Sequence, residues 1–96
     1  MTVVISQKIR EKLLSKHHVS EDEVAQCFAN CDGTFLKDPR EAHASDPPTL
    51  WFVSETDHGK KLKIAFILKE GKNYIRTAYP PNADEIRIYK KYAGQS

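Results

Sequence analysis

Arg76, Tyr79, Lys63 and His17 are the side chains of this sequence whose types could together act on a phosphodiester. A guanidinium matches two phosphate oxygens at once, so Arg76 suits a phosphate clamp. Lys63 offers a second cation. Tyr79 can give or take a proton, although an ordinary tyrosine pKa of about 10 demands help from neighbours. His17 carries the side chain best suited to proton transfer near neutral pH. Each residue has a plainer reading beside this one. Arg76 could be an ion-paired or solvated strand arginine and Lys63 a solvated lysine. Tyr79, preceding Pro80-Pro81, could simply pack. Lys16-His17-His18 could be a polar helix end whose cations meet the last carbonyls of the helix dipole.

The segment that must position three of these groups is Lys61 to Tyr79. Leu62, Ile64, Phe66 and Leu68 recur with period two, the spacing of a strand that buries one face. Glu70-Gly71-Lys72-Asn73 reads as the turn and Tyr74 to Tyr79 as the return strand. Arg76 and Tyr79 have opposite parity, so a regular strand sends them to opposite faces, unless the chain bends before Pro80. Upstream, Ser6 caps a helix over Gln7 to His17, and Ser20 with Glu23 forms a capping box opening a second helix. Thr34 to Lys37 reads as a short strand, residues 38–49 as an exposed proline-rich loop, and Leu50 to Glu55 as the next strand, turned by Asp57-His58-Gly59. Asn82 and Glu85 open a closing helix that runs to about Tyr92. The expectation is a single α+β domain over residues 1–96: two N-terminal helices, a mainly antiparallel sheet of three or four strands, and a C-terminal helix.

Composition narrows the function classes. The chain has 96 residues, 40% apolar and 29% charged, with net charge +2. That is ordinary for a folded domain and milder than most nucleic-acid binders. The charge is uneven, however: residues 60–91 carry nine Lys and Arg against Glu70, Asp84 and Glu85. This basic third could attract a phosphate backbone. Cys27 and Cys31, four apart with no secretory leader before them, read as reduced thiols of a cytoplasmic protein. No second Cys or His pair has metal-ligand spacing, and the reading includes no metal and no cofactor. His43 and His58 read as surface residues and Trp51 as core.

Three stretches resemble the BrnT-like branch of the RelE superfamily, toxin ribonucleases of bacterial toxin–antitoxin pairs. They are Lys16-His17-His18-Val19-Ser20-Glu21-Asp22-Glu23-Val24, Lys61-Leu62-Lys63-Ile64-Ala65-Phe66, and Ile75-Arg76-Thr77-Ala78-Tyr79 followed by Glu85 and Arg87. The match covers most of the chain. It departs from the family where His18 replaces glycine, Thr77 replaces serine and Tyr79 replaces arginine, and altogether over Thr49 to Val53 with the Pro47-Pro48 loop before it. The resemblance implies metal-independent RNA cleavage by attack of a 2′-hydroxyl on the adjacent phosphate. It also implies an antitoxin partner and a role for Arg76, Tyr79, His17 and Lys63 in catalysis. Lys16, Arg87, Lys90 and Lys91 become the RNA-binding cations, the last three on the basic side of the closing helix. Loss of the arginine at Tyr79 favours an alternative, a non-catalytic protein- or RNA-binding module on the same fold.

Overall fold

A computed structural model of the protein describes residues 2–31, 34–38 and 47–93. The element order is β1 (Thr2–Val4), α1 (Gln7–His17), α2 (Glu21–Asn30), β2 (Leu36–Lys37), β3 (Thr49–Glu55), β4 (Lys61–Lys69), β5 (Lys72–Tyr79) and α3 (Ala83–Tyr92). The α+β class agrees with expectation, but the layout differs. The sheet has five strands in the order β1-β5-β4-β3-β2, and β1 runs parallel to β5. With three residues, β1 is too short to show a period in the sequence. The other three pairings are antiparallel. The expected loop over residues 38–49 and His43 fall largely outside the described residues.

The helix starts follow from local chemistry. Ser6 Oγ accepts the Ile9 N–H at 3.2 Å. Ser20 and Glu23, and likewise Asn82 and Glu85, exchange both hydrogen bonds of a capping box. Helix α1 stops at His18, a non-glycine residue in the left-handed region with φ 55°. Lys60 Nζ donates to the His18 carbonyl at 2.9 Å and lies 3.3 Å from Glu23, tying this corner to the start of β4.

The β4–β5 turn is tighter than the sequence suggested. Glu70 and Gly71 alone form it, with φ of 54° and 77°. Positive φ at both central residues is the pattern whose twist matches flanking strands, so Lys72 and Asn73 belong to β5.

The expectation that β4 buries one face is corrected. As the central strand it is covered on both sides, and Leu62 to Phe66 are all buried, whereas Leu68 is 43% exposed near the hairpin end. On one face the register aligns Phe52, Ile64 and Ala78. There Phe28 of α2 meets Phe52 and Phe66 edge-to-face, at ring separations of 4.8 and 5.2 Å. The opposite face carries Trp51, Lys63, Ala65 and Tyr79, covered in part by α3 through Tyr89, 5.8 Å from the Trp51 ring.

Candidate functional site

The pairing of β4 with β5 slips by one residue in the middle of the sheet. Ala65 pairs with Thr77, but Phe66 pairs with Ile75, which leaves Arg76 as the extra residue of a β-bulge. Beyond a bulge the parity of a strand is reversed. Ile75 and Ala78, three apart, therefore both face the core. By the same device Arg76 and Tyr79, three apart, share the other side.

A hollow of about 240 Å³ lies there, lined by Lys12, Lys63, Ala65, Arg76, Thr77 and Tyr79, with Asp38 and Thr49. Three cations and one carboxylate, Asp38, thus line this space. The bend expected at Pro80 is replaced by the bulge as the cause of the convergence.

Lys63 is not a solvated lysine, the plainer of its two readings. Its side chain is 7% exposed, and Nζ donates to Glu85 Oε2 at 2.8 Å. The same ammonium sits 4.6 Å from the Trp51 ring centre, a cation–π contact. Tyr79 donates its hydroxyl to that same Oε2 at 2.9 Å. The other oxygen, Oε1, accepts the Asn82 N–H at 3.0 Å. Burial works to raise the Glu85 pKa, but hydrogen bonds from Lys63, the Asn82 backbone and Tyr79, with the Lys63 charge, leave it below its ordinary value. Glu85 is the hub of these contacts, although in the sequence it stands out only as a cap and as part of the stretch resembling the family. The legible signal is that a capping glutamate has a second oxygen, and a lysine among buried strand residues needs a carboxylate.

His17 does not line the hollow. Its ring lies 5.7 Å from that of Tyr79, so it touches the site through that residue. Burial, followed by the charges of Lys16 and Lys12, lowers its pKa, keeping the imidazole neutral at pH 7 and able to accept a proton. Lys16 is exposed on the same helix.

None of the three α3 cations lines the Arg76 hollow. Arg87 pairs with Asp84 at 3.0 Å, and Lys91 lies 5.3 Å from the Tyr92 ring centre. Lys90 lines a separate hollow of about 660 Å³ with Lys61, Glu55, Asp57, Ile86 and Tyr89. There the charges balance, and Lys61 pairs with Glu55 at 3.6 Å.

His58 is exposed, and Trp51 is buried in the sheet. Cys27 and Cys31 are free thiols, and burial first, then nearby Glu23, pushes the Cys27 pKa up to about 12. Among the described residues no group of three or more His, Cys, Asp or Glu side chains could hold a metal ion, and no helix is long and apolar enough to cross a membrane.

No protein-family model matches the chain, and no curated protein matches it. The class defined here is therefore one of geometry: an α+β domain with a mixed five-stranded sheet and a bulge-built cationic hollow.

Proposed function

We propose that the chain is a small RNA-cleaving protein of the RelE/BrnT type, whose Arg76 hollow holds a phosphodiester of its substrate. The observation that carries the reading is the bulge, which gathers Arg76, Lys63 and Tyr79 around one hollow with Lys12. Arg76 and Lys12 hold the non-bridging oxygens and stabilise the charge that develops on them. His17, which lies against Tyr79 rather than in the hollow, takes the proton of the 2′-hydroxyl through a bridging water as that oxygen bonds to phosphorus. The bond from phosphorus to the 5′-oxygen breaks, and Tyr79 supplies the proton to the leaving oxygen. The products are a 2′,3′-cyclic phosphate and a free 5′-hydroxyl.

Such an activity in a bacterial cell calls for an antitoxin, and the cytoplasm is where its RNA lies. Ile88 and Tyr92, exposed beside Lys91 on α3, give a partner protein an apolar and basic surface to cover.

A second reading has its own support. Lys63 and Tyr79 are both engaged by Glu85, which suits a rigid, non-catalytic binding module.

The test is incubation of the purified chain with a fluorescent single-stranded RNA, alongside induction of the chain alone in bacteria. Cyclic-phosphate products and growth arrest support the nuclease. Binding without cleavage supports the module.

A further inference from the structure

Helix α1 carries Lys8, Lys12 and Lys16 at successive i, i+4 positions, all exposed. Residues four apart lie on one helix face, about 6 Å apart along the axis, so the three lysines form a stripe roughly 12 Å long. The middle lysine, Lys12, lines the Arg76 hollow. The stripe therefore does not stand alone on a solvated face: it meets the hollow at its centre. Glu11 is the one acidic residue of α1; it accepts a hydrogen bond from Gln7, lies about 100° round the helix from Lys12, and neighbours the stripe only at Lys8, three residues before it. The lowered pKa of His17, caused by burial and then by Lys16 and Lys12, is consistent with a positive field along this face.

Beside the stripe runs β5. Tyr74 pairs with Ile67, and Ile67 pairs with Thr49, a residue of the hollow's lining. The register thus puts Tyr74 on the hollow's face of the sheet, and 37% of its surface is exposed. Cations tracking a backbone, with an aromatic ring beside them, are what single-stranded nucleic acid binds. On α3, Arg87 is paired with Asp84, Lys91 lies over the Tyr92 ring and Lys90 lines the other hollow, so none of the three reaches the hollow that Lys12 shares with Arg76.

We infer that single-stranded RNA runs along α1 and β5, with its phosphates on Lys8, Lys12, Lys16 and Arg76 and a base stacked on Tyr74. The inference rests on the RNA reading above and specifies which surface carries the strand.

Binding of a fluorescent single-stranded RNA is measured by anisotropy over a salt series. Two variants remove the same charge: Lys8→Ala/Lys12→Ala/Lys16→Ala on α1 and Arg87→Ala/Lys90→Ala/Lys91→Ala on α3. Circular dichroism establishes that both are folded. The α1 variant is expected to lose at least about tenfold in affinity, and its slope of log K against log salt to flatten by about 2, three phosphate contacts at roughly 0.7 each. The α3 variant is expected to stay within about twofold of the natural chain, and Tyr74→Ala to weaken binding several-fold with the slope unchanged. Equal losses from the two triple variants, or a larger loss from α3, overturn the α1 track while leaving the RNA reading intact. Tighter binding to duplex than to single strand also overturns it. Failure of the natural chain to bind any RNA overturns both.

Discussion

Lys63 Nζ lies 2.8 Å from Glu85 Oε2, and this ion pair joins the central strand to the closing helix with the lysine almost wholly buried. The pair also receives the Tyr79 hydroxyl, so one carboxylate fixes β4, the end of β5 and the start of α3. A buried charge left alone costs far more than a pair replaced by apolar groups.

Glu85→Ala should therefore destabilise the protein by about 3–5 kcal/mol, the scale for breaking one side of a buried pair. Lys63→Met should cost much less, because the side chain left behind is apolar and Glu85 keeps Tyr79 and Asn82 as partners. Urea unfolding of the two variants measures the difference. Equal losses would show that the asymmetry is absent.

Acid should weaken the fold through the same group. Glu85 and Glu23 both titrate below their ordinary value of 4.5. For Glu23 the leading cause is the Ser20 backbone N–H of its capping box. As pH falls from 4.5 through the lowered folded values, the unfolded chain takes up protons that the folded chain refuses, so unfolding is favoured. The stabilisation is complete above that window and lost below it. Glu85→Gln should flatten the stability curve as pH falls through 4.5 and below, as read by urea midpoints across that fall.

Among the described residues, two that are not glycine occupy the left-handed region, His18 at φ 55° and Glu70 at φ 54°. That conformation costs an L-residue roughly 1–2 kcal/mol, part of which glycine gives back through its unfolded-state entropy. His18→Gly, and Glu70→Asn, which makes an Asn-Gly turn, should each raise stability by about 0.5–1 kcal/mol. Thermal melts would contradict this by showing unchanged or lower midpoints.

The thiols should differ in reactivity. Cys27 is fully buried with a pKa of about 12, whereas Cys31 is half-buried with Sγ 3.8 Å from the Tyr89 hydroxyl. At pH 8 a maleimide should label Cys31 first, and Cys27 only as fast as the protein opens. Mass spectrometry of early time points reads the order.

Much of the framework was legible because it rests on local signals. The caps at Ser6, Ser20 and Asn82 set all three helix starts, and strands β2 to β5 fell near their sequence signals. Strand β1 was not, since three residues paired to a distant strand leave no period. The candidate site was legible in part. Arg76, Lys63 and Tyr79 were picked by chemistry, but their convergence depends on a bulge that period-two reasoning misses. A trace of it was present: Ile75 and Ala78, apolar and three apart around Arg76-Thr77, break the alternation. The partnership of Lys63 with Glu85 spans 22 residues and depends on how α3 folds back, which no local pattern records.

Under the proposed function, Arg76 grips the scissile phosphate in the hollow it shares with Tyr79. Arg76 is exposed, and circular dichroism establishes whether Arg76→Ala is folded. Its single-turnover cleavage of single-stranded RNA should be slower than that of the natural chain by about 10²–10³, the cost of losing one preorganised charge contact. An unchanged cleavage rate in folded Arg76→Ala would contradict the account.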